Sequence, residues 1–143
     1  WNFTPVLATS IFAGFYFKEF FLSLFIVIFS MFLGDFYLGF HSTMIFTYIS
    51  LIVAVLIGLF IKNLNFKNIL LSGLISSICF FIITNFGVWQ VTGMYDKSIE
   101  GLLICYIAAI PFFSNTILST LFYLFLIKLL EKSLLKTFKI AYN

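Results

Sequence analysis

From Phe20 to Leu38 the sequence carries a single charged side chain, Asp35, and the runs Thr43 to Ile61 and Asn68 to Val88 carry none. Each run is about 20 residues long, the length at which a helix rising 1.5 Å per residue crosses a hydrocarbon core of ~30 Å. A water-soluble domain cannot hide three such runs. Of the 143 residues, 63% are hydrophobic and only 9% charged, well outside the makeup of soluble domains. The expectation is one all-α integral membrane domain over residues 1–143, because lipid leaves backbone groups no partner outside a helix or a closed barrel.

Two further stretches complete the bundle. Pro5 to Phe17 is apolar but only about 20 Å long as a helix, which predicts a short or tilted span with Thr4 as cap and Pro5 as first helical residue. Gly101 to Leu130 exceeds one ordinary span, and Pro111 followed by Ser114, Asn115 and Thr116 punctuates it. The reading is an outer segment over 101–113, either re-entrant or the kinked upper half of the last helix, then a span over 115–130. With 5–17, 20–38, 43–61 and 68–88, this makes a compact bundle of about five spans.

Lysines orient the bundle. Every cation is Lys and none is Arg, beside abundant Phe, Ile and Asn; this resembles the codon bias of an AT-rich genome, so the Phe count carries no functional reading. Lys18, Lys62 and Lys67 flank short connections, whereas 35–42 contains no lysine, so the former face the cytoplasm. The loop after Asn85 then emerges outside. One more crossing returns the tail, with Lys128, Lys132, Lys136 and Lys139, to the cytoplasmic side, where anionic lipid attracts it. The same count puts Trp1 outside and predicts an odd number of preceding helices, most simply one.

Catalytic chemistry finds little material. Cys79 and Cys105 lie in apolar runs with no second ligand at metal spacing and read as buried thiols. A nucleophile–His–acid grouping, a zinc-protease helix and a phosphate-binding glycine loop are all missing from the sequence. No basic patch outside the tail suits nucleic acid. The reading is a non-enzyme without cofactor or metal.

The polar residues of the outer level are the candidate ligand-binding set. Asp35 reads as an interfacial acid or helix cap, or as a pocket carboxylate. The lone His41, in "LGFHSTM", suits a helix start or a ligand rather than a metal. Asn85 ends an apolar run and serves as interhelical glue or as a ligand-orienting amide. Trp89 and Tyr95 belong to an aromatic belt, or cover a ring-bearing ligand as a lid hinged at Gly87 and Gly93. Tyr106 and Asn115 arrive at the same level. Few polar groups among aromatic walls is the makeup of a small-molecule pocket.

The stretch "FTPVLATSIFAGFYFKEFFLSLFIVIFSMFLGDFYLGF" resembles the outer loop, second and third helices of S components, the substrate-binding subunits of energy-coupling-factor vitamin transporters. "NILLSGLISSICFFIITNFGVW" is similar to their fifth helix, and "AAIPFFSNTILSTLFYLFLIK" resembles the Pro-Phe start of their sixth. "NFTPV", "LGFHSTM" with Tyr48 following, "TNFGVW" and "CYIAAIPFF" resemble still more a family of small, uncharacterised bacterial membrane proteins held to share that fold. The resemblance implies a six-helix fold lacking its first helix here and a pocket on the outer side. It also implies uptake of a small, vitamin-like micronutrient across the bacterial cytoplasmic membrane, alone or with an energising transporter module. The second reading, from another class, is a non-transporting structural or accessory subunit of a larger membrane complex.

Overall fold

A computed structural model describes residues 3–141, with side chains through 133. Trp1 and the side chains of Lys136 and Lys139 lie outside the described residues. Five helices follow one another: α1 (Val6–Phe17), α2 (Phe20–Leu38), α3 (Met44–Phe60), α4 (Phe66–Val91) and α5 (Ile99–Ala141). Among the described residues there is no strand. Three helices are long and apolar enough to cross a membrane: α2, α4 and the Ile99–Ser133 part of α5. With 12 and 17 residues, α1 and α3 reach roughly 18 and 26 Å, so α3 falls just short of the span expected over 43–61.

The surface is strongly apolar. Phe21 is 75% exposed and Phe60 83%, and large apolar side chains face outward on every helix, whereas the inner faces carry alanine, glycine and serine. Helix ends are closed locally. The Glu19 carboxylate accepts from the backbone of Phe21 and Leu22 to start α2, and Asn65 Oδ1 accepts from Asn68 N at 2.8 Å to start α4. Pro5, rather than Thr4, holds the cap position of α1, whose helical residues begin at Val6.

Tertiary contacts sort the connections into two ends. Lys18 Nζ donates to the carbonyls of Leu59 (3.3 Å) and Ile61 (2.5 Å) at the close of α3, and Phe66 packs on Phe125. Lys18, Lys62, Lys67 and Lys128 therefore gather at one end, the lysine end. At the far end Tyr48 meets Asp35 and Phe46 packs against Phe86.

The tightest packing joins α1 and α3. A Cβ on Gly14 would collide with the Val55 carbonyl oxygen, and a Cβ on Gly58 with that of Ile11. Two backbones approach this closely only where both helices present small residues, as they do at membrane helix crossings. Ala8, Ile11, Leu51, Ala54 and Val55, all essentially inaccessible, continue the seam. Leu124 of α5 closes the core beside it.

Of the two arrangements expected for 101–113, the structure has the upper part of the last helix: α5 runs unbroken from Ile99 to Ala141 with Pro111 inside it. Proline removes one backbone donor, at position 111, and apolar helices of this kind tolerate that loss because their neighbours and side chains make it good. The region 101–113 is thus the upper part of the last helix, and 115–130 is its continuation. Likewise α4 extends beyond 68–88 at both ends.

Candidate functional site

The inward line of α2 is Ser23, Val27, Met31 and Asp35, spaced by four residues so that each lies roughly one turn above the last. Three of these are buried, and Met31 is half-buried. Its two ends are hydrogen-bonded. The Ser23 hydroxyl lies 3.0 Å from Ala13 O of α1, and Asp35 Oδ2 accepts from Tyr48 Oη of α3 at 2.6 Å. Between them α2 stands away from α4 and α5, and a cavity of about 250 Å³ fills the gap.

That cavity draws on all five helices: Met31 from α2, Leu7 from α1, Thr47 from α3, Phe80 from α4, and Thr116, Ser119 and Thr120 from α5. The α5 hydroxyls share one helix face through i+3 and i+4 spacing. Each donates to its own helix: Thr116 Oγ1 to Phe112 O at 3.0 Å, Ser119 Oγ to Thr116 O at 3.0 Å, Thr120 Oγ1 to Thr116 O at 2.7 Å. A hydroxyl has one proton and two lone pairs, so with the proton committed Ser119 and Thr120 have acceptor capacity left. One turn from Phe80 toward the lysine end, Ser76 and Ser77 are 1% and 0% exposed, with no hydrogen-bond partner for either hydroxyl.

The seven residues singled out in the sequence divide into two groups and one outlier. Asp35 and His41 lie at the α2–α3 connection. Asp35 is only 8% exposed, so it is not a solvated interfacial acid; His41 is exposed, with Nδ1 3.0 Å from Thr43 Oγ1 at the start of α3. Asn85, Trp89, Tyr95 and Tyr106 belong to the α4–α5 pair. Asn85 Nδ2 donates to Phe81 O at 2.8 Å, while its carbonyl accepts from Cys105 Sγ at 3.4 Å. Tyr106 Oη donates to Ile82 O at 2.7 Å. Trp89 Nε1 donates to Asp96 O at 2.8 Å, its carbonyl accepts from Lys97 Nζ, and that ammonium sits 5.1 Å from its ring centroid. The turn is so close that a Cβ on Gly101 would strike the Asp96 carbonyl. These side chains tie the α4–α5 connection to itself. Asn115 is exposed.

None of the seven is among the residues that line the cavity. Asp35 lies one turn beyond Met31 on the same stripe and is bonded to Tyr48, the neighbour of Thr47. Sequence reading passed over Thr47, Thr116, Ser119 and Thr120. The available signal was the grouping of three hydroxyls on one face of an apolar span. Among the described residues no three His, Cys, Asp or Glu side chains gather as a metal site requires.

Among the described residues, fold and site define a helical protein with three helices able to cross a membrane and a small, largely apolar cavity bordered by a few hydroxyls. The chain belongs to a family of unknown function, DUF6580, whose profile matches residues 1–138. No curated protein and no solved structure matches it.

Proposed function

We propose that this chain is a multi-pass subunit of the bacterial cytoplasmic membrane that captures a small, vitamin-like molecule from the outer side and passes it inward, as the S components it resembles do. The observation that carries the reading is the cavity between α2 and the α4–α5 pair, with its acceptor hydroxyls on one wall and apolar groups on the other. Its volume lies just below the ~300–1,000 Å³ usual for drug-sized ligands, which favours a compact molecule. Lone pairs without free protons favour a ligand that brings N–H or O–H donors on an apolar ring. Asp35 stands outside that lining, one turn beyond Met31, where its carboxylate is held by Tyr48.

Orientation follows the lysines. With the lysine end in the cytoplasm, the Asp35 and Trp89 end faces outward and the cavity lies closer to that face. An energising transporter module is the partner in this reading.

Native mass spectrometry of the purified protein tests it, with a retained small molecule as the expected result. Met31→Trp fills the cavity and removes that molecule while the protein stays monodisperse. A spectrum with no adduct, unchanged by Met31→Trp, would leave the second reading, an accessory subunit of a larger membrane complex. Orientation has its own measurement: of Lys67→Cys and Tyr95→Cys, only the latter reacts with an impermeant thiol reagent applied to intact cells.

A further inference from the structure

We propose that the groove between the close of α3 and the start of α4, at the lysine end, binds one acidic phospholipid. The groove has a volume of about 560 Å³ and two kinds of lining. Ile57 and Phe60 of α3 and Leu71 and Ile75 of α4 form its walls, and Lys62 and Lys67 stand at its mouth. The ion pair recorded among the described residues is Lys128 with Glu131; neither Lys62 nor Lys67 has an acidic or hydrogen-bonded partner there.

The turn holding these lysines has a set shape. Asn68 Nδ2 donates to Asn63 O at 2.8 Å and to Asn63 Oδ1 at 3.0 Å, and Asn65 caps the helix behind them. The amides thus satisfy the turn and leave the ammonium groups as its unspent donors. Two cations on one groove complement a phosphodiester, which takes charge-assisted bonds from both.

The walls decide where that phosphate comes from. Phe60 is 83% exposed, Leu71 44% and Ile75 47%, an apolar surface for which a free phosphate has no use. From Lys67 to Ile75 α4 climbs about 12 Å, so a headgroup held at the mouth lays its glycerol and upper acyl carbons along Leu71 and Ile75. The site is independent of the cavity and of any transport role.

Native mass spectrometry of the full chain in detergent, with dioleoyl phosphatidylglycerol and dioleoyl phosphatidylcholine added in equal amounts, provides the test. Wild-type protein retains the anionic lipid about 30-fold over the zwitterionic one, about 1 kcal/mol for each of the two lysines. The preference falls to parity in the double variant Lys62→Ala/Lys67→Ala and persists in Lys97→Ala at the far end. Ile75→Trp blocks the wall and removes the adduct with both lysines intact. The proposal is overturned by parity in the wild type or by a double variant that keeps its preference. It is also overturned by an Ile75→Trp protein that keeps its adduct, which would mean diffuse surface charge. Displacement of the lipid by millimolar inorganic phosphate alone would reassign the groove to a free anion.

Discussion

The α1–α3 seam and the α2 edge hold helices together in opposite ways. Across the seam, backbone meets backbone, and Gly14 and Gly58 leave no volume for even one more carbon. Along α2 the only buried side chains are Ser23, Val27 and Asp35, and the cavity takes the place that a packed side chain would occupy. The seam gains from dispersion between close atoms, which a void forfeits. The difference teaches that this bundle has a rigid half and a loosely held helix, with the cavity at the boundary between them.

Substitutions can break that contrast or sharpen it. Gly58→Ala has the largest expected effect: its Cβ meets backbone that cannot give, so stability falls by about 3 kcal/mol or more, measured by equilibrium unfolding in mixed micelles. An unfolding curve matching wild type would refute the close seam. Tyr48→Phe deprives the buried Asp35 carboxylate of its 2.6 Å donor and destabilises by roughly 1–3 kcal/mol. That loss should be accompanied by greater accessibility of a reporter cysteine at Leu33, and an unchanged reporter would show that α2 is held by other means.

Trp89→Phe removes the bond to Asp96 O at the α4–α5 connection, with an expected loss of about 1 kcal/mol and faster proteolysis near Lys97. Ser23→Ala loses about 0.6 kcal/mol, because the hydroxyl's single proton is already drawn to Glu19 O at 2.6 Å as well as to Ala13 O. Gly34→Ala is the mirror of the first substitution. Nothing lies within 4 Å of its Cβ position, so the gain in helix propensity stabilises α2 by roughly 0.5–1 kcal/mol. A loss there instead would place an unseen neighbour against α2.

The helices were legible because a long apolar run bounded by polar residues reads as a helix, and α2 occupies the expected residues from Phe20 to Leu38. Pro111 was an ambiguous signal, since proline commonly ends a helix, and only the tertiary setting distinguishes a break from the continuous α5. The cavity was hidden for a different reason. Asn115 attracted notice by its amide, yet it sits one residue from Thr116, which is about 100° around the helix, and so it faces away. Threonine and serine are unremarkable in any apolar span, and only the tertiary arrangement distinguishes those facing a void from those facing a neighbour. Composition marked Trp89 and Tyr95 as aromatic, but the bond from Trp89 Nε1 of α4 to Asp96 O in the connection 92–98 cannot be read from it.

The line from Ser23 to Asp35 has a geometric property of its own. Four residues at about 100° each overshoot a full turn by about 40°, so three such steps wind the line about 120° around the helix. A straight rod carrying that thread can begin against α1, at Ala13, and end against α3, at Tyr48. For α2, one stripe therefore serves two neighbours at its ends, and Met31, midway along the thread, is the member of it that looks onto the cavity.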